Sequence, residues 1–274
     1  MDFSGLEKSL RESGARWTAK RTSLFELEPQ RRRVAGIPEI DPGEALRAAS
    51  HNLLPPRSSR AVVARAADWR GRQPPIMGTV RDQSACNSCA AFAICSAMEA
   101  RLAVEETGKP FEIDLSEADL FFCGRGSCAS GMPLDAALTR ARTVGVGLEA
   151  DFPYDPNATT CVPIKPNVKA GSFHYIVDDK DRRLSISEDG PVVAVMRVFE
   201  DFLTYDTGIY EYVTGQSEGL HAVVIVGYDD DQKFWIVRNS WGSDFGEAGY
   251  FRIRYGQCEI DTRPFVSIHP ERIP

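Results

Sequence analysis

Near residue 170 the apolar pattern of this 274-residue chain changes its period, and that change limits the folds open to it. Before it, apolar residues recur at helical spacing. Cys89 to about Glu106 carries Phe92, Met98 and Leu102 among many alanines, with Gly108 as the stop. Ser116, Glu117 and Asp119 open a second helix, and Pro133 to about Thr143 reads as a third. A loop rich in Pro and Asn runs from Pro153 to Pro166. Beyond it the pattern is that of strands: Val192–Val198, Gly208–Val213, Ala222–Tyr228, Phe234–Arg238 and Tyr250–Arg254. Helices first and strands later predict an α+β protein of two lobes. The sequence shows no internal repeat and no low-complexity tract.

Composition removes several classes. No apolar run approaches the ~20 residues that cross a bilayer. With 43% apolar residues and a net charge of -7, the chain is too apolar and too weakly charged for disorder. An isoelectric point near 5.3 argues against a nucleic-acid binder with a basic surface. The charge is unevenly spread, however. Residues 1–65 hold 12 Lys and Arg against 8 Asp and Glu (+4), and the remainder 20 against 31 (-11). The basic part includes Arg31-Arg32-Arg33 and the stretch Pro55-Pro56-Arg57-Ser58-Ser59-Arg60. It reads either as a solvated tail or as a segment that docks on an acidic body. Asp41 and Pro42 mark a helix start there, as N-cap and first helical residue. Met1 to Lys20 lacks the apolar core of a secretion signal.

The chemistry concentrates in Gln83-Ser84-Ala85-Cys86-Asn87-Ser88-Cys89-Ala90-Ala91-Phe92. A cysteine in the first turn of an apolar helix sits among unpaired amides and the positive end of the helix dipole, which favour a thiolate. His221 begins a strand 132 residues later, and Asn239-Ser240-Trp241-Gly242, opening 150 residues after Cys89, closes the next. A thiol, an imidazole and an amide are the parts of an activated nucleophile. Seven cysteines leave other readings open. Cys86-x-x-Cys89 with Cys123 and Cys128 has the composition of a four-thiolate zinc site or of a redox pair. Neither accounts for Gln83, His221 or Asn239. The triplet Asn157-Ala158-Thr159 fits a glycosylation sequon and reads as a surface loop.

From Asp68 to Phe265 the chain resembles the papain-like cysteine peptidases. The resemblance rests on Gln83 with Cys86 and Cys89, and on Asn239-Ser240-Trp241-Gly242 followed by Phe245-Gly246-Glu247 and Gly249-Tyr250-Phe251. It implies a helical lobe with a central nucleophile helix, an antiparallel barrel-like β lobe, and a cleft between them. The implied division is 1–65 as a pro-like segment, 66–170 as the helical lobe and 171–274 as the β lobe. Cys89 would be the nucleophile, His221 the base and then the acid, and Asn239 the holder of the imidazole under the shield of Trp241. Gln83 and the Cys89 amide would form the oxyanion hole. Gly131 would offer its backbone to an extended peptide. Met132, Pro133, Val195 and Ala222 would line the S2 pocket, with Arg263 at its far end favouring an acidic or polar P2 side chain. Cys86 would pair with Cys128 and Cys123 with Cys161, leaving Cys89, Cys95 and Cys258 free. No metal or cofactor is implied, and the partners are a peptide substrate and the chain's own N-terminal segment.

Departures from the family pattern are Asn87, Ala90, Ala129-Ser130 and Phe245. Asn87 and Ser130 should crowd the S1 side. The N-terminal segment lacks the long helical pattern of the usual family propeptide, so its blocking contacts should differ. An acyl transferase on the same fold, or a binding module with a blocked cleft, is the alternative function. Bridges favour an oxidising compartment, which an exported bacterial protein on a non-classical route would reconcile with the missing signal. The bias of 25 Arg to 7 Lys points the same way.

Overall fold

The computed structural model describes residues 2–28, 32, 34–58, 61–106, 113–158 and 160–274. The N-terminal stretch forms α1 (Phe3–Ser13), β1 (Trp17–Ala19), α2 (Ser23–Glu26) and α3 (Pro42–Ala49). Then come β2 (Ala66–Asp68), α4 (Cys89–Glu105), α5 (Glu117–Phe122) and α6 (Leu134–Thr143). The remainder is β3 (Val168–Ile176), α7 (Asp179–Leu184), β4 (Val192–Phe199), β5 (Tyr205–Tyr210), β6 (Ser217–Asp229), β7 (Phe234–Arg238), β8 (Tyr250–Arg254) and β9 (Phe265–Arg272). Gly108, Thr159, Ser59, Arg60, Arg31 and Arg33, which carried sequence readings, lie outside the described residues.

From Cys89 to Leu102 α4 is largely apolar, and it is buried on nearly every side, as such a helix must be. Its alanines let neighbours approach closely, and it packs against β6 and β9 as well as α5 and α6. The strands form one sheet in the order β1-β5-β8-β7-β6-β4-β9-β3, with β2 beside β6. Every pairing is antiparallel except β5 with β8, so the β lobe is not wholly antiparallel as expected. Residue 170 falls inside β3, and β2 belongs to the sheet although it precedes the helices. In the register of β4 on β6, Val195 faces Ala222 and Met196 faces His221. β7 returns along β6 with Arg238 opposite Val224, which delivers Asn239 beside His221. Two disulfides, Cys86–Cys128 and Cys123–Cys161, staple the helical lobe, while Cys89, Cys95 and Cys258 are free and buried.

The same lobe buries two carboxyl groups, Glu99 on α4 and Glu117 on α5. Glu99 accepts the Leu115 amide proton at 2.8 Å. Burial pushes Glu99 up to about 8, with the Asp114 charge adding to the rise, and pushes Glu117 well above the usual carboxylate range, where Glu99 and Glu149 raise it further. The folded chain therefore holds protons that the unfolded chain releases near pH ~4.3. Their contribution is fully present below that pH and is lost as pH climbs toward about 8. Thermal unfolding of the full chain is expected to shift down by several degrees across this window. Glu99→Gln, which keeps an acceptor for Leu115, should flatten that slope; an unchanged slope would show that Glu99 is already ionised in the fold.

Candidate active site

Cys89 stands at the head of α4, where Ser88 occupies the N-cap without capping the helix. The Ser88 hydroxyl is engaged instead by Tyr154 Oη at 2.7 Å, and Tyr154 donates to the Gln83 carbonyl at 3.0 Å. The first-turn amides are thus left to act on the sulfur. Cys89 Sγ also receives the backbone N–H of Gly36 at 3.3 Å and of Ala222 at 3.4 Å. Despite these donors, burial raises the thiol above its ordinary range. The thiolate expected at this helix start is suppressed because the N-terminal segment lies on the sulfur and excludes water.

His221 Nε2 lies 2.8 Å from Asn239 Oδ1. An amide oxygen only accepts, so Nε2 carries the proton and Nδ1 keeps its lone pair. Nδ1 has no hydrogen-bond partner among the described residues. Burial pulls the imidazole down to about 4, so it is neutral over the physiological range. Trp241 stacks on His221 with ring centroids 4.9 Å apart and a 29° tilt, and the two rings and Asn239 are buried together. Gln83 bridges the lobes: its N–H donates to the Ser240 carbonyl at 2.9 Å, and its Oε1 accepts from Ser240 Oγ at 2.7 Å. Its Nε2 donates to the Cys86 carbonyl at 2.8 Å. Ser240 and Tyr154, which sequence reasoning had not given a role, therefore fix Gln83.

The N-terminal chain crosses this constellation between α2 and α3, where Ile37 forms an isolated antiparallel bridge with Leu220. Gly36 accepts the Met132 N–H at 3.0 Å, and Ile37 donates to the Leu220 carbonyl at 3.0 Å. The approach is so close that a Cβ on Gly36 would lie 1.9 Å from the Asn87 carbonyl oxygen. One on Gly131 would lie 1.9 Å from the Gly36 oxygen. Gly131 gives its own N–H to Ser127, so the donor to the crossing strand is Met132. Asn87 reaches across to the Ala129 carbonyl at 3.1 Å.

Beyond Gly36 the segment borders a cavity of about 260 Å³. Ile37, Pro38 and Glu39 lie on one side, and Pro133, Val195 and Arg263 on the other. Met132 and Ala222 are buried outside this lining. Ion pairs tie the segment down, nearly all with its bases on the acids of the body. Arg16 meets Glu211 at 3.0 Å, Lys20 meets Asp206 at 3.2 Å and Arg57 meets Glu188 at 2.9 Å. These exposed pairs are worth little singly. Arg32 differs, with its side chain 6% exposed and bonded to Glu200 and Glu218. Glu39 is the reverse case, an acid of the segment held by Arg197 of the body. The thiols of Cys86, Cys123, Cys128 and Cys161 are consumed in disulfides, which removes the four-thiolate zinc reading.

Residues 63–268 match the papain family of cysteine proteases. The chain is 30% identical over 227 residues to the cathepsin B-like CP2 of Giardia intestinalis, a match covering 76% of this chain and 75% of that one. It is 30% identical over 207 residues to the gamete and mating-type specific protein A of Dictyostelium discoideum, covering 74% of this chain and 45% of that one. Neither relative supports the bacterial source expected from the arginine bias. Among solved structures, the procathepsin B S9 of Trypanosoma congolense superposes with a TM-score of 0.83 at 24% identity, covering 99% of both chains. The digestive procathepsin L 3 of Tenebrio molitor gives 0.76 at 23% identity, covering 97% of this chain and 86% of that one. The shared fold thus includes the N-terminal segment. No helix among the described residues is long and apolar enough to cross a membrane.

Proposed function

We propose, from the premise that this chain belongs to the papain family of cysteine proteases, that Cys89 is its nucleophile, His221 its base and acid, and Asn239 the holder of the imidazole. As a member of that family the protein is a cysteine endopeptidase that hydrolyses peptide bonds. The observation that carries the assignment is the His221–Asn239 hydrogen bond, which leaves Nδ1 as the free basic atom in a site with Cys89 at the head of α4. Nδ1 takes the thiol proton, and the thiolate attacks the substrate carbonyl carbon. The imidazolium returns that proton to the departing amine as the C–N bond breaks. Water, deprotonated by the same nitrogen, then cleaves the thioester and restores the thiol. The Cys89 N–H and the Gln83 Nε2 stabilise the oxyanion of each addition. Gln83→Ala is expected to lower kcat by about 10²–10³ while KM stays near its original value. A loss confined to KM would remove Gln83 from the oxyanion role.

Residues 1–65 act in this reading as a cover over a catalytic body formed by 66–170 and 171–274. Support comes from the crossing at Gly36, which takes up the Met132 N–H and the Leu220 carbonyl that an extended substrate strand would need. Burial by the cover also keeps Cys89 a neutral thiol and His221 a neutral imidazole. The pair is thereby held un-ionised, because a raised thiol facing a lowered imidazole disfavours the thiolate–imidazolium form. The test is labelling of Cys89 by an epoxysuccinyl inhibitor, before and after limited cleavage of the segment, with Cys89→Ala as control. Fast labelling only after cleavage is the expected result. Equal rates would end the self-inhibition reading, and no labelling in either form would end the nucleophile assignment. Product analysis with added amine separates hydrolysis from acyl transfer.

A further inference from the structure

A second surface of the body becomes bare when the segment leaves, and it lies outside the catalytic cleft. β5 is an edge of the sheet once β1 is gone, because its other neighbour is β8. In the intact chain β1 pairs with it antiparallel, with Trp17 opposite Gly208 and Thr18 opposite Thr207. The Ile209 N–H donates to the Arg16 carbonyl at 2.9 Å, and the Thr204 carbonyl accepts from the Lys20 N–H at 2.7 Å. Gly208 has a positive φ, and a Cβ there would press on the Arg16 carbonyl and the Trp17 Cα, so only glycine admits a strand this close.

The Trp17 side chain fills a slot on this edge. Its ring centroid lies 5.0 Å from that of Tyr210 and 6.2 Å from that of Tyr205, and its Nε1 donates to the Glu211 carbonyl at 2.9 Å. Carboxylates flank the slot. Glu211 takes Arg16, and Asp206 takes Lys20 and the Thr18 hydroxyl, each at 3.2 Å. The slot is built by contacts within the body. The Tyr210 hydroxyl donates to Asp201 at 2.6 Å, and Asp201 also accepts the Val213 and Thr214 amide protons. Glu247 accepts from the Gly208 N–H at 3.1 Å and the Thr207 hydroxyl at 2.9 Å, and is itself held by Arg252. Asp201, Glu247 and Arg252 stay when the segment goes, so the slot keeps its shape. What remains is a bare strand edge, an aromatic slot with a carbonyl acceptor, and acids on either side. A bare edge is a template for another strand, and tryptophan and arginine are the anchors that gain most from such a setting.

Ring contacts lead from the slot to the catalytic residues. Tyr210 meets Phe202 at 4.8 Å, Phe202 meets Trp241 at 5.5 Å, and Trp241 meets His221 at 4.9 Å. In the sheet, β5 lies on the β7 side of β6, and β4 with Val195 lies on the other. The edge is thus beyond His221 from the Val195 wall, on the side where residues that follow the cleaved bond leave the cleft. We propose that the bare β5 edge is an exosite of the released peptidase, which recruits protein substrates through an extended strand placed after the cleaved bond, with the pattern basic, aromatic, two further residues, basic. This rests on the peptidase reading above and names the kind of protein that reading favours as substrate. The chain's own residues 16–20, Arg-Trp-Thr-Ala-Lys, are the precedent for the pattern.

The test starts from the full chain, with its segment released by limited proteolysis and removed, and its active sites counted by epoxysuccinyl titration. Three fluorogenic substrates share one cleavable sequence. The first ends there. The second continues through a Gly-Ser link of about 15 residues, with an r.m.s. span of about 20 Å, into Arg-Trp-Thr-Ala-Lys. The third carries Ala for the Trp and Glu for both bases. The second should exceed the first by about 10-fold or more in kcat/KM, through KM alone, and the third should match the first. A free peptide of residues 14–21 should compete away that gain while changing cleavage of the first substrate by less than about twofold. Asp206→Lys, at a side chain 38% exposed, should remove most of the gain and leave the first substrate and the site count unaltered. A second substrate cleaved no better than the first, or a gain unchanged in Asp206→Lys, would overturn the proposal. So would equal inhibition of the first two substrates by the free peptide, since that places the peptide in the cleft. Binding of the free peptide without any gain in cleavage would mean that the edge seats only the chain's own segment, and would overturn it too. Absence of titratable sites would instead overturn the peptidase reading beneath it.

Discussion

With the N-terminal segment released, Cys89→Ala is expected to lower kcat by about 10⁶, and His221→Ala by a similar factor. The double variant should be no worse than either single one, because a nucleophile without its base and a base without its nucleophile are equally idle. Asn239→Ala should cost less, since the imidazole loses its orientation and its water-excluded hydrogen bond but keeps its proton. Steady-state rates on one peptide across the four variants make the comparison. Additive losses for Cys89 and His221 would mean that they do not act as a unit, and the assignment of His221 as the base would fall.

The second large effect is an activation. Gly36→Val in the uncut chain forces a branched side chain into a space where even a Cβ would stand 1.9 Å from the Asn87 carbonyl oxygen. Asn87 cannot easily retreat, because it follows Cys86, whose disulfide to Cys128 holds this wall, and its amide is tied to Ala129. Overpacking of this kind costs roughly 1–3 kcal/mol, which raises the uncovered population, and with it the labelling rate of Cys89, by about 5–150-fold. Gly71→Ala, whose Cβ meets nothing within 4 Å, serves as the neutral control. If Gly36→Val folds normally yet labels no faster than the parent, the crossing strand is not what withholds the thiol.

Much of the catalytic region was legible because its signals are local or regular. α4 shows itself as a long alanine-rich apolar run carrying Phe92, Met98 and Leu102, and β7 and β8 begin and end at the residues expected of short apolar runs between turns. What stayed hidden depended on contacts between distant parts of the chain or on broken patterns. β3 carries a bulge at Gly171 and β9 contains Pro270, so neither alternates cleanly. α1 was readable in retrospect, with Asp2 as N-cap, Leu6 and Leu10 one turn apart and Gly14 left-handed after it, but its dense charges masked that stripe. Gly36, in Val34-Ala35-Gly36-Ile37-Pro38, reads as plain loop until it is seen 53 residues away against Cys89. Burial, to which the covering chain adds, raises the Cys89 thiol, although the Gly36 N–H itself favours the thiolate. A helix start sets a sulfur's potential only where water or a substrate shares the site, and here another strand does.

If residues 1–65 cover the cleft as proposed, the crossing at Gly36 also governs how the protein responds to being cut. While the chain is continuous, the covering strand competes with substrate at the effective concentration of a tethered group, in the millimolar range for a short flexible link. A single break in the exposed stretch around Val62, which is 87% exposed, turns that competition from intramolecular to bimolecular without altering one contact in the cleft. From then on the same hydrogen bonds hold only as firmly as the free segment's own concentration allows. Dilution alone would then carry the enzyme from shut to open, and crowding in a closed compartment would hold it shut after the cut.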